Sequence, residues 1–191
     1  GDCEFNVGDA DCDGVATHPE TSCQPDTLGN DPCAGATGPI GENSCNGDDA
    51  CAGSDSSIGA GSCNGLEACK NAEGAVGTGS CLGEETCNGA EGAVGDGSCI
   101  GVYACDSTEG AVADYSCIGE EACYGAAGPV ADGSCTGEYA CTDSSSSISD
   151  GSCIGEYACY ESSSDIGDGS CIGGYACRES DTPIGDGSCI G

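Results

Sequence analysis

The stretch CIGEYACYESSSDIGDGS, residues 153–170, recurs with its landmarks unchanged along most of the chain, and its period of 18 decides the architecture. Cys45, Cys63, Cys81, Cys99, Cys117, Cys135, Cys153, Cys171 and Cys189 form one column. Cys51, Cys69, Cys87, Cys105, Cys123, Cys141, Cys159 and Cys177 form a second, six residues later, and no insertion breaks either series. The unit reads C-x-G-x-x-A-C, six variable residues, an Ile or Val, then typically G-D-G-S. Cys33 falls in register with the second column while Thr27 occupies the first. The periodic part is therefore expected over residues 27–191, preceded by a small irregular cap over residues 1–26.

Regularity of this kind means that each unit stacks on copies of itself. The density of Gly, Ser and Asp and the missing 3.6-residue apolar stripe argue against helical repeats. What remains is an all-β fold: a parallel β-solenoid (β-helix) of 18 residues per coil and about nine coils, braced by disulfides, with a Cys-containing N-terminal cap. The consecutive hexads I-G-D-G-S-C and I-G-E-Y-A-C look like the hexapeptide rule of left-handed parallel β-helices, whereas the third, such as residues 160–165, departs from it. Ile58, Val76, Val94, Val112, Val130, Ile148, Ile166 and Ile184 share one slot, as an inward ladder of a parallel sheet requires. Ser44, Ser62, Ser80, Ser98, Ser116, Ser134, Ser152, Ser170 and Ser188 fill another, consistent with narrow coils that admit only small residues. With strands ~4.8 Å apart, such a rod is on the order of 40 Å long.

Composition agrees with a thin interior. The 191 residues include 36 Gly and 21 Cys but no Met, no Trp and a single Phe, too little bulk for an ordinary globular core. Cysteine at this density points to an oxidising compartment, hence to a secreted, extracellular chain. Lys70 and Arg178 face 34 carboxylates, a net charge of -32 that repels phosphate backbones and anionic bilayers. Nucleic acid and membrane insertion are thus poor expectations, and no apolar run reaches the length of a membrane helix. The start at Gly1, without the pattern of a signal peptide, suggests a mature or trimmed product.

Two disulfide schemes compete. Pairing within each coil, Cys45 with Cys51 and so on to Cys171 with Cys177, uses sixteen thiols, and Cys3, Cys12, Cys23 and Cys33 supply two more bridges. Pairing between coils, down each column, suits the hexapeptide analogy. The within-coil scheme is preferred because it strands fewer thiols and a C-x5-C loop can bring Cα atoms to ~5.5 Å. Cys189 is then left over, its partner position lying four residues past Gly191, which suggests a chain cut within a repeat. Zinc and thiol catalysis are weaker options, since His18 is the single imidazole.

Ahead of the repeats, Asp9, Asp11, Asp13, Gly14, Val15, Thr17 and Glu20 match D-x-D-x-D-G-x5-E, the spacing of a calcium loop. The flanks carry no amphipathic helix, so the loop resembles the Asp-rich loops of extracellular calcium modules more than an EF-hand. Asp9, Asp11, Asp13, Val15, Thr17 and Glu20 are the expected ligands; an exposed acidic turn is the alternative. Asp96, Asp114, Asp132, Asp150, Asp168 and Asp186 form a column of like charges to be screened by solvent or by divalent cations between coils. Tyr103, Tyr139, Tyr157 and Tyr175 share a slot with Glu67, Glu85 and Glu121, where phenols can stack. The serines of residues 143–147 and 161–165 are candidates for O-linked glycans.

The units GSCIGEYAC and GSCIGGYAC resemble a Cys-rich solenoid repeat, G-S-C-x-G-x-x-A-C, of secreted or surface proteins predicted in diatoms and other stramenopile algae. That resemblance implies no defined activity; it implies an extracellular structural role in fibres, cell coverings or flagellar hairs. The expected function is accordingly a non-enzymatic rod that self-associates or joins other extracellular structural proteins. Two alternatives are an ice-binding solenoid, by analogy with insect antifreeze coils but without their Thr array, and an acidic surface protein that binds calcium or mineral.

Overall fold

The structure, a computed structural model, describes Ser22, Cys23 and residues 31–191. Its unit is an 18-residue coil stacked on the next in strict register. Ile40, Ile58, Val76, Val94, Val112, Val130, Ile148, Ile166 and Ile184 pair one to the next in parallel, and a second series runs from Asn64 through Leu82 and Ile100 to Ile190. Every pairing is a bridge of one residue. Among the described residues no helix and no run of strand forms, and turns and bends together fill more than half of each coil. The expected all-β parallel β-solenoid is therefore overturned: the disulfide-braced repeat is present, the sheets are not.

The backbone gives the reason. A strand needs successive residues near a φ of about −120°. In one coil Cys153 has φ 57, Gly155 141, Tyr157 55, Cys159 55 and Glu161 51, so every second residue turns the chain the other way. The coil three before it repeats this at Cys99, Gly101, Tyr103, Cys105 and Ser107, with φ of 55, 141, 58, 58 and 55. Left-handed backbone disfavours an L-residue by roughly 1–2 kcal/mol. Hydrogen bonds to both neighbouring coils offset it: the amides of Cys153 and Cys159 donate forward to Ser170 and Ala176 (3.0 and 2.9 Å), and those of Gly155 and Tyr157 donate back to Thr136 and Glu138 (2.8 and 2.9 Å).

Covalent closure holds each coil in this shape. Cys45–Cys51, Cys63–Cys69, Cys81–Cys87, Cys99–Cys105, Cys117–Cys123, Cys135–Cys141, Cys153–Cys159 and Cys171–Cys177 are bridged within coils, their Cα atoms 5.4–5.8 Å apart. Cys23–Cys33 adds one at the N-terminal end; Cys3 and Cys12 lie outside the described residues. Each short loop contributes about 2 kcal/mol in the chain-entropy account. The bridges face inward and follow one another closely, the Sγ atoms of Cys63, Cys69 and Cys81 lying within 4.8 Å of one another. Sulfur thus forms the axis of the molecule.

Around that axis the interior is small and partly polar. Val76, Val94, Val112, Val130, Ile148 and Ile166 are 1–4% exposed, and Ala50, Ala68, Ala104, Ala122, Ala140 and Ala158 are fully buried. The second apolar series, including Ile100, Ile118 and Ile154, is only half-buried, so one hexad points its branched residue inward and the other does not. Ser152 and the left-handed Cys153 both face inside, which leaves Ile154 turned toward the surface.

The serine column has a role beyond size. Ser62 Oγ donates to the Gly77 carbonyl (2.6 Å) and accepts the amide of Ser80 (3.1 Å). The arrangement repeats with Ser80, Ser98, Ser116, Ser134 and Ser152 as the hydroxyl. Buried amides that the backbone ladder omits are satisfied this way. The Gly column from Gly47 to Gly173 takes φ of 133–158, and a Cβ there would fall on the carbonyl of the glycine one coil on.

Candidate functional site

Three surface features run along the stack, each built by one slot of the repeat. The first is the row of exposed aspartates. Asp96 Oδ1 accepts the amide of Thr78 (2.7 Å), Asp114 that of Asp96 (2.7 Å), Asp132 that of Asp114 (3.0 Å) and Asp186 that of Asp168 (3.1 Å). These charge-assisted bonds between coils counter the repulsion that the sequence pattern alone implies.

Beside that row runs an open groove of about 750 Å³. Its floor is the buried series from Val76 to Ile148, flanked by exposed Ala75, Ala93, Ala111 and Pro129, with Asp96, Asp114 and Asp150 along an edge. Its lining is mostly apolar and repeats from coil to coil.

The third feature is aromatic. The Tyr139 and Tyr157 rings stack with centroids 4.7 Å apart at 11°, and Tyr157 and Tyr175 stack at 5.1 Å and 12°. Tyr160 meets Tyr157 edge-on at 5.6 Å. The Arg178 guanidinium lies 5.8 Å from the Tyr157 centroid and 5.2 Å from that of Tyr160, while pairing with Glu179 at 3.0 Å. Tyr103, in the same slot, donates instead to Glu85 Oε1 at 3.4 Å.

Electrostatics on this side keeps protons on. The negative charge of Glu85 raises the Tyr103 phenol, and that of Glu121 raises Tyr139. Burial is the main cause for Tyr157, and a hydrogen bond with Glu161 for Tyr160. Burial also raises the carboxyls of Asp106 and Glu121. Lys70, raised chiefly by its hydrogen bond with Glu67, sits 3.2 Å from that carboxylate and 3.4 Å from Asp49.

The expected calcium ligands Asp9, Asp11, Asp13, Val15, Thr17 and Glu20 lie outside the described residues. Triads of cysteine sulfurs close enough to share a metal occur down the axis, but every member is tied up in a disulfide and offers no thiolate. In the serine tracts alternate residues divide: Ser144, Ser146, Ser162 and Ser164 are buried, whereas Ser145, Ser147 and Ser163 are exposed. The stacked phenols were legible as a shared slot; the approach of Arg178 to Tyr157, the middle ring, was not, because that contact spans two different slots of adjacent coils.

Nine disulfides among the described residues are of the kind that an oxidising compartment maintains. No helix among them is long and apolar enough to cross a membrane. The model of a family described as a domain of unknown function, DUF7640, matches residues 2–104 and again residues 103–191. That match links the chain to no organism and to no activity. No curated protein and no solved structure matches the chain.

Proposed function

The chain belongs to the DUF7640 family, and we propose that it is a secreted, non-enzymatic structural element: a stiff stack of coils that joins with itself or with other extracellular structural proteins into a fibre, cell covering or flagellar hair. The observation that supports this is the unbroken register, with nine bridged rungs from Ile40 to Ile184 and a disulfide closing coil after coil. Such a stack resists bending because each rung is closed covalently on itself and joined to its neighbours by hydrogen bonds in both directions. The likeness to algal surface proteins points the same way. Electron microscopy and sedimentation of the native material test the reading. Filaments or defined assemblies containing the chain are expected; single chains at high concentration, alone and with the other proteins of that material, would overturn it.

A second reading, an acidic protein that binds calcium or mineral, is favoured by the exposed aspartate row. Millimolar calcium that raises Tm, with reversal by a chelator, supports that reading; an unchanged Tm and no adsorption to mineral remove it. For ice binding the threonines are poorly placed: Thr86, Thr108 and Thr142 are buried. Thermal hysteresis would nonetheless move the assignment there.

A further inference from the structure

We propose that Tyr157 is a site of oxidative cross-linking, joined through a ring carbon to Tyr139 or Tyr175 of an adjacent coil as dityrosine. Three phenols in register, with centroids 4.7 and 5.1 Å apart and planes within 12° of parallel, are held one above another by the same period that aligns the sulfurs. Tyr175, at the outer end of the trio, is 54% exposed, so an oxidant reaches the stack from solvent. The ring carbons that carry spin density in a tyrosyl radical, those ortho to the oxygen, are thereby held close to a neighbouring ring, and rotation of the side chains brings two of them together.

The chemistry balances with a peroxide as oxidant and a peroxidase-class catalyst. Two phenolic O–H bonds each lose a hydrogen atom, and the two radicals couple to form one carbon–carbon bond between ortho positions. The two hydrogens on those carbons then move to the oxygens and restore both phenols. Overall two hydrogen atoms leave the protein, and one hydrogen peroxide takes them up as two waters. The product joins coils that the disulfides do not join, since every described bridge of the repeat lies within a single coil. The proposal concerns a single chain and stands whether or not the chain forms fibres.

The molecule contains its own controls. Tyr103 occupies the same slot but has Glu85 and Glu121 one coil to either side, so it has no ring to couple with inside the chain. Tyr115 and Tyr124, 66% and 36% exposed, take no part in the stack.

The test treats the dilute full chain with hydrogen peroxide and horseradish peroxidase. The monomer band is isolated, its disulfides are reduced, and the cross-linked peptides are mapped by mass spectrometry alongside dityrosine fluorescence. A peptide pair joining Tyr157 to Tyr139 or to Tyr175 is expected in the monomer. Tyr157→Phe should abolish the monomer fluorescence while Tyr103→Phe leaves it unchanged, both variants keeping the native disulfide map. The proposal is overturned if dityrosine is confined to linked molecules, if it maps to Tyr157 and Tyr160 within one coil, if the monomer signal survives in Tyr157→Phe, or if no dityrosine forms.

Discussion

The hydroxyl of Ser98 accepts the amide of Ser116 at 3.1 Å while donating to the Ala113 carbonyl at 2.7 Å, with both serines fully buried. One oxygen therefore satisfies two backbone groups that belong to the next coil. Ser98→Ala takes that partner from the buried Ser116 amide and the half-buried Ala113 carbonyl, a loss of about 1–3 kcal/mol. Guanidinium or thermal unfolding should show it clearly, with exposed Ser163→Ala as a near-neutral comparison. Equal stability of the two variants would mean that the serine slot is only a matter of volume.

Cysteine variants should differ according to whether one or both partners are removed. The sulfurs of Cys99, Cys105 and Cys117 lie within 4.8 Å of one another. Cys99→Ser frees the thiol of Cys105 beside the Cys117–Cys123 bridge, so peptide mapping without reduction should find exchanged pairs such as Cys105 with Cys117. The double variant Cys99→Ser, Cys105→Ser should keep the other bridges native and lose roughly 2 kcal/mol or more. Native bridges throughout the single variant would argue against the closeness of the sulfurs.

Acidification should not destabilise this protein near neutrality. Burial holds the carboxyls of Asp106 and Glu121 above their ordinary range, so the folded chain binds those protons more tightly than the unfolded one. Their contribution is complete below about pH 4 and is lost as pH rises through the raised values. The net charge of -32 acts in the same direction by self-repulsion. Calorimetry from about pH 7 down to about pH 4 should give a Tm that rises as pH falls through the raised values, and Asp106→Asn should flatten that slope.

If the serine tracts carry O-linked glycan, the alternation of burial dictates where. Ser145, Ser147 and Ser163 face solvent, while Ser144 and Ser162 point inward, their hydroxyls donating to the carbonyls of Ser162 and Ser180 at 3.2 and 3.4 Å. Site-localised mass spectrometry of native material should place sugar on the outward set alone. Sugar on Ser144 or Ser162 would show that the tract is unpacked when it is modified.

The period, the column of Val and Ile and the within-coil partners of the cysteines were all readable, because each depends on identity at a fixed spacing. The conformation within a coil was not. Alternation of apolar and small residues suggested strands, yet one slot runs Gly53, Asn71, Gly89, Ser107, Gly125, Asp143, and another runs Asn43, Gly61, Gly79, Gly97. Interchange of Gly with Asn and Asp marks left-handed backbone, and both slots have it. That signal stood in the sequence. The left-handed cysteines did not announce themselves, since nothing in a cysteine's identity sets its φ; the bridge across six residues does. The aspartate row was legible as charge, but its bonds to amides one coil away depend on which backbone donors the turns leave free.

Since coil after coil hands its successor the same donors, acceptors and sulfurs, length is a free variable of this architecture. A gene that gains or loses 54 nucleotides (18 codons), or a whole multiple of them, rejoins one intact storey to another, whereas an in-frame insertion or deletion of any other length shears every slot above it. Variation among relatives should therefore come in whole storeys, and the family can adjust its reach without inventing a single new contact.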